Sequence, residues 1–462
     1  MGRFRNKYIG DKAFYRMLFK VAIPIMIQNG ITNFVNLLDN IMVGRVGTEQ
    51  MSGVAIVNQI IFIYFLCLFG AMSGAGIFTA QYFGYKDDRG IQHTFRYKLL
   101  LGLIITAAAI VILQLFGSNL IGLYLNESSD GGDLQATMKY AMGYLQIICF
   151  SMPLVSFSFT YSSTLRECGE TVVPMRAGMA AVLVNLVFNY LLIYGKFGFP
   201  ELGVYGAAIA TGISRVVECL IIVIWLHTHG QVHTYIKGIY RSLKIPLPVV
   251  KKFFLTGAPL LVNETLWATG IFLLNQAYSL RGLNVVAGQN IANTINNVFN
   301  ISFIAMGDAV AIIVGQLLGA GKMKEAKDTD TKIIATSVMI GCCVLVVMVL
   351  TAPLFPKLYN TNPEARHLAT LFLIVMGLTT PKEAFLHSTY FTIRSGGKTV
   401  VTFIFDSVFM CVVSVPIAYL LSRYTSLHVI AIFAIVHAAD LIKCVIGYIL
   451  VRKNVWMKNI VA

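Results

Sequence analysis

Charge is what this sequence has least of. Only 12% of its 462 residues are charged and 57% are hydrophobic, whereas a soluble globular domain carries roughly 25% charged residues. A soluble fold of this length needs a polar surface that the composition cannot supply, so the outer surface must face lipid. Cysteine is also sparse. The eight cysteines lie mostly inside apolar segments, Cys342 and Cys343 are adjacent, and no CxxC pair occurs. That excludes a metal-spaced Cys/His cluster and fits buried, reduced thiols. Phosphate-loop chemistry is missing too. Gly319-Ala320-Gly321-Lys322 is followed by Met323, and no glycine stands five residues before Gly321, so the pattern fails. No HExxH occurs and no Ser/His/Asp arrangement stands out, so nothing points to an enzyme.

Long apolar runs are present instead. Leu99 to Phe116 and Thr331 to Ala352 are nearly free of charge, and a membrane-spanning helix needs about 20 such residues. Hydropathy and helix breakers predict twelve spans, at 16–40, 51–82, 97–117, 138–163, 172–194, 204–227, 253–279, 286–318, 331–353, 367–392, 399–421 and 427–450. The chain then divides into a six-helix N-lobe (1–227), a cytoplasmic linker (228–252) and a six-helix C-lobe (253–462).

The net charge of +15 invites a nucleic-acid reading, but its distribution argues otherwise. Most of the 36 basic residues fall in alternate loops with the two termini, and few fall on the other side. The positive-inside rule then places both termini in the cytoplasm of a multi-pass inner-membrane protein. The basic start (Arg3, Arg5, Lys7, Lys12, Arg16) runs into a helix containing Pro24 with no small-residue cleavage site, so no cleaved leader is expected.

The sequence repeats itself. A shift of 235 pairs Pro24 with Pro259, Asn40 with Asn275, Gly47 with Gly282, Gly53 with Gly288, Asn58 with Asn293, Gln81 with Gln316 and Gly84 with Gly319. Further on, a shift of 228 pairs Pro153 with Pro381, Arg166 with Arg394 and Gly169 with Gly397. The difference is absorbed between the third and fourth helices, near Asn126 to Asp133. With an even number of helices per copy, the halves insert the same way up and are related by an axis along the membrane normal. Such folds hold a cavity between their halves, which favours a transporter over a rigid pore.

A charge at the bilayer centre costs about 2.5–3.5 kcal/mol even on the lenient scale, so such residues are usually functional. Asp39 lies fifteen residues after Pro24. Asn185 and Asn189 are four apart, so they share a helix face, and Thr211 lies on the next helix. A carboxylate, two carboxamides and a hydroxyl are hard ligands suited to Na⁺, and a desolvated carboxylate is equally suited to a proton. The second half has Glu264, Asp308, Glu383, Asp406 and Asp440, with Lys382 and Lys443. Lys443 and Asp440, three apart, are placed to neutralise each other. Glu264 and Asp308, without local partners, are placed to line a wet cavity. His387 and His437 are candidates for titration. Tyr161 and Trp267 can offer ring faces to cations. Pro24, Pro153, Pro259 and Pro381 free backbone carbonyls and permit bending, and bending near Pro24 would move Asp39.

In these features the chain resembles the multidrug and toxic-compound extrusion transporters over about residues 15–450. The most specific parts are the segment Tyr194 to Gly203, the spacing of Pro24 and Asp39, the pair Asn185/Asn189, Gln-x-x-Gly at 81–84 and 316–319, and the turns Leu165-Arg166 and Ile393-Arg394. The resemblance implies a V-shaped all-α membrane fold of two pseudo-symmetric six-helix bundles. It also implies antiport of H⁺ or Na⁺ against small organic cations or drugs, with no other cofactor and no nucleic-acid partner. A monomer surrounded by membrane lipid is expected. It further implies that Asp39, Asn185, Asn189 and Thr211 bind the cation or proton and that Pro24 is the hinge. Na⁺-coupled relatives carry a glutamate where Trp267 stands, and Glu264 is one turn earlier. Glu383 falls where some relatives carry a C-lobe acid. Glu264, Asp308 and Glu383 are therefore the candidate C-lobe cation or substrate residues, and Na⁺ is a candidate ligand of Asp39 or of these acids. The rivals are a flippase for lipid-linked saccharides, which would want a basic cavity, and an intramembrane enzyme, which would need a convergent nucleophile or metal set.

Overall fold

A computed structural model describes residues 7–125, 133–359 and 361–462. The expected insertion near Asn126 to Asp133 lies mostly outside the described residues, as do Arg3 and Arg5. Twelve helices are long and apolar enough to cross a membrane: α1 Lys12–Gly44, α2 Thr48–Tyr85, α3 Asp88–Gly122, α4 Leu134–Glu167, α5 Val172–Tyr194, α6 Val204–Thr228, α7 Leu247–Ser279, α8 Leu283–Gly319, α9 Met323–Thr351, α10 Pro363–Ser395, α11 Thr399–Tyr424 and α12 Val429–Arg452. No strand occurs among the described residues. This agrees with the sequence reading, and the differences lie at the ends. α3 begins nine residues before its hydropathic span because the polar residues Asp88, Arg89 and Arg96 continue the helix past the apolar stretch.

The chain forms two compact units, and their borders are not those of the expected lobes. One contains Ile27–Thr79 and Asp88–Phe253; the other contains the chain up to Met26, Ala80–Asp87 and Phe254–Ala462. The border within α1 falls two residues after Pro24. The start of α1 belongs with the second unit because Phe14, Leu18, Ala22 and Ile25 are buried in one core with Met306, Ala309, Val310 and Phe391. Residues 228–252, expected as the linker, are packed in part. Tyr235, Ile236 and Ile239 are buried, and Arg96 donates to the Ile239 carbonyl at 2.9 Å. That segment packs with the unit that precedes it.

The repeat is visible in the packing. A Cβ added at Gly53 on α2 would lie 3.0 Å from the Thr137 carbonyl oxygen and 3.1 Å from the Ala141 nitrogen of α4. Its counterpart Gly288 on α8 would meet the Ala365 oxygen and Ala369 nitrogen of α10, both at 3.1 Å. Thr137 and Ala141 correspond to Ala365 and Ala369 under the shift of 228, so each copy uses one glycine to let the same two helices approach. Small residues at such crossings replace the hydrophobic drive that lipid removes.

The two Gln-x-x-Gly motifs meet each other. A Cβ at Gly84 would overlap the Gln316 carbonyl, and one at Gly319 would overlap the Gln81 carbonyl. The C-terminal tail closes over this crossing. Trp456 is fully buried. The Gln81 amide donates to the Ser395 and Lys458 carbonyls at 2.9 and 3.1 Å, and its oxygen accepts from the Ile460 nitrogen at 2.9 Å.

Two late helices are irregular. α11 contains π-turns at Ile404–Val408 and Met410–Ser414, a feature frequent at functional sites. α12 is interrupted at Asp440, between Ala439 and Leu441.

Candidate functional site

In the first unit, α1, α5 and α6 bring together all four residues expected there. The one-turn spacing on α5 puts Asn185 and Asn189 on one buried face. Asn189 donates to Asp39 Oδ1 at 2.6 Å and to Asn185 Oδ1 at 3.1 Å. Asn185 donates to Thr211 Oγ1 at 3.3 Å. Turning the Asn185 carboxamide by half a revolution puts its nitrogen 3.0 and 3.1 Å from the two Asp39 oxygens. Asn189 Oδ1 is buried with no hydrogen-bond partner, and a buried polar atom of that kind calls for an explanation. A cation beside the carboxylate, or a proton on it, supplies one: either adds the positive partner that neutral amides cannot.

Sequence reasoning missed part of this neighbourhood. Arg215 on α6 pairs with Glu218 three residues on, at 2.7 Å, and acts on Asp39 electrostatically. Spacing of three on a helix is the available signal. Tyr144 lies within electrostatic reach of Asp39. Tyr161, by contrast, cannot offer its ring to a ligand. It is fully buried, edge-on to Phe95 with centroids 4.9 Å apart, and hydrogen-bonded to the Tyr240 hydroxyl. Trp267 is half-buried on α7.

The second unit builds a different arrangement from α7, α10, α11 and α12. Lys382 Nζ lies 2.8 Å from Glu383 Oε1 and 3.1 Å from Asp440 Oδ2, and donates to the His437 carbonyl at 2.9 Å. Lys443 Nζ lies 3.3 Å from Asp406 Oδ1. The expected compensation between Lys443 and Asp440 acts through space, while the direct contacts run elsewhere: Asp440 meets Lys382, and Lys443 reaches across to α11. Asn263 donates to Asp406 Oδ2 at 3.4 Å and Tyr390 Oη at 3.3 Å, and accepts from Ser407 at 2.7 Å. Glu264 is half-buried beside this set, hydrogen-bonded to Asn263 and under the influence of Arg394 and Asp406. Asp308 is half-buried on α8. Of the three acids expected in this lobe, Glu383 is thus held by a lysine, and Glu264 has neighbours that its sequence did not show.

Two further buried groups escaped the sequence reading. Lys98 of α3 is ion-paired with Glu167 of α4. Asp330 of α9 is fully buried, and Thr392 donates to its Oδ1 at 2.5 Å. Both partners are far away in sequence, so no local spacing announces them.

A profile of the MatE family matches residues 24–191 and 259–420, one match per repeat. Together these cover well over half of the chain, which belongs to the MatE family and is a multi-pass membrane transporter, not an enzyme. Among curated relatives, "Probable multidrug resistance protein YoeA" of Bacillus subtilis (strain 168) is 22% identical over 439 residues, 94% of this chain and 92% of the relative. "Probable multidrug resistance protein NorM" of Thermotoga maritima is 25% identical over 415 residues, 89% of this chain and 86% of the relative. The fold is similar to a solved structure described as the outward-facing conformation of a multidrug resistance MATE family transporter of the MOP superfamily. The TM-score is 0.84, at 20% identity, covering 97% of this chain and 96% of that one.

Proposed function

We propose that this chain is a secondary active multidrug efflux transporter that exchanges H⁺ or Na⁺ for small organic cations. The observation that carries this reading is Asp39, held by Asn189 at 2.6 Å beside a buried carboxamide oxygen that lacks a partner. A lone membrane carboxylate with neutral amide neighbours accepts one positive charge. It can take a proton, or it can take Na⁺ with Asn185, Asn189 and Thr211 contributing oxygens. The names of the relatives in both comparisons support drugs as the cargo.

The mechanism is competitive coupling. The ion enters from outside and neutralises Asp39. α1 then rearranges near Pro24, whose ring takes one N–H donor out of the helical ladder and permits bending. The border between the compact units lies beside that proline, which supports it as the hinge. The cavity loses affinity for its cationic cargo, and the reset transporter loads again from the cytoplasm. Glu264, Asp308 and Glu383 supply the acidic side of the cargo site. The chain works as a monomer in the inner membrane with both termini in the cytoplasm.

The test is ethidium efflux from a pump-deficient bacterium. The wild-type chain lowers cellular ethidium, and Asp39→Asn returns efflux to the level of cells without the transporter. Wild-type efflux by the variant, present in the membrane at equal amount, would overturn the reading.

A further inference from the structure

The second unit already contains the cation that its carboxylates would otherwise bind. Glu383, His437 and Asp440 present ligand atoms that all lie within 4.8 Å of one another, a spacing that fits one positive ion. The Lys382 ammonium lies against both carboxylates of this group and the His437 backbone carbonyl. Its three donors are satisfied by Glu383 Oε1 at 2.8 Å, the His437 carbonyl at 2.9 Å and Asp440 Oδ2 at 3.1 Å, and an ammonium has three to give. Its side chain is 8% exposed, less than either acid it bridges, at 39% and 19%. His437 Nδ1 is buried 3.7 Å from the same Glu383 oxygen, outside ordinary hydrogen-bond distance. Lys443 acts on Glu383 and Asp440 only through space, because its ammonium is bound to Asp406.

The charges do not cancel. Two carboxylates share one ammonium, which leaves one net negative charge inside a membrane-spanning segment when His437 is neutral. A second positive charge is attracted there, but the best place is taken. We propose that Lys382 is a tethered competitor in the C-lobe. An organic ammonium binds Glu383 and Asp440 only by displacing it, and small metal cations are kept out while it stays.

The consequence is specificity and release. A bulky cation with apolar groups gains contacts that offset the displacement, whereas a bare ion gains none. The apparent affinity of any cation is reduced by the fraction of molecules in which the lysine has left. A lysine that is displaced in one molecule in ten lowers affinity about tenfold, and its return expels the cargo.

The proposal rests on the cationic cargo described above, so the experiment separates the two. Purified wild-type, Lys382→Met and Lys382→Arg proteins are titrated with ethidium by fluorescence polarisation. The same proteins are followed by thermal unfolding in NaCl against choline chloride. Lys382→Met is expected to bind ethidium about tenfold more tightly or better than wild type. It is also expected to gain a stabilisation by Na⁺ that wild type lacks, while Lys382→Arg stays with wild type. If neither wild type nor Lys382→Met binds ethidium, the cargo reading fails. The Na⁺ response of Lys382→Met then decides the lysine's role alone. A folded Lys382→Met that binds neither cation better than wild type overturns the proposal, as does an equal gain in Lys382→Arg. Should Lys382→Met not remain monodisperse, Lys382→Met with Asp440→Asn has the wild-type net charge at the cluster and no competitor. The same gain over Asp440→Asn alone is expected of it.

Discussion

The two polar clusters solve the cost of membrane charge in opposite ways. In the first unit one acid, Asp39, is hydrogen-bonded among the neutral Asn185, Asn189 and Thr211, and the charged Arg215, paired with Glu218, acts on it only through space. In the second unit Glu383, Asp440 and Asp406 each meet a lysine. A carboxylate held by neutral donors remains available to an incoming ion. A carboxylate held by a lysine has its cation built in, and removing that cation leaves an uncompensated buried charge. The two units therefore treat their carboxylates differently, one among neutral amides and the others against lysines.

This contrast can be broken at its strongest point. Lys443→Met should destabilise the protein by about 3–5 kcal/mol, the usual result of removing one member of a buried pair. Thermal unfolding in detergent reads it, and Asp39→Asn, which strips no partner of its counter-charge, should leave unfolding close to wild type. Equal losses in both would erase the distinction. Asn189→Ala removes the amide donor to Asp39. A hydrogen bond to a charged group contributes about 1.5–3 kcal/mol, so ethidium efflux at a limiting ion gradient should fall about tenfold or more while the unfolding temperature moves little. The smallest effect belongs to Thr211→Val. Its bond to Asn185 is long and neutral at 3.3 Å, so a loss of about 0.5–1.5 kcal/mol should weaken the response to the coupling ion by a few fold. The small effect is the one expected for a proton; a Thr211→Val effect as large as that of Asn189→Ala would favour Na⁺, ligated by the hydroxyl.

Much of this was legible in one dimension. Twelve spans follow from hydropathy because lipid demands them, and the register of the repeat follows from glycines that crossings cannot replace. The Gly53 and Gly288 contacts with α4 and α10 realise both shifts at once. Asn185 and Asn189 were readable because one turn of helix is a sequence distance. Pairs between helices were not. Lys98 and Glu167 are 69 residues apart, and Asp330 and Thr392 are 62 apart, and no periodicity links them. Local spacing was half the account: Lys443 and Asp440 act on each other electrostatically, but the direct contacts of both run to other helices. The compact units were hidden for a related reason. A continuous apolar helix such as α1 carries no mark of where its neighbours change.

The meeting of the two Gln-x-x-Gly motifs has a bearing on ancestry. Gly84 faces the Gln316 carbonyl and Gly319 faces the Gln81 carbonyl, so residue i touches j while j's counterpart touches i's. That reciprocity is the signature of a two-fold dimer interface. A six-helix half could make this contact with a second copy of itself, and any change in its motif would then be felt on both sides. Within the fused chain the two sides are free to diverge, and the tail holds them by unlike bonds: Gln81 donates to the Lys458 carbonyl and accepts from the Ile460 nitrogen, while Asn459 donates to the Gly319 carbonyl. A symmetric seam is thus fastened on both sides by different partners.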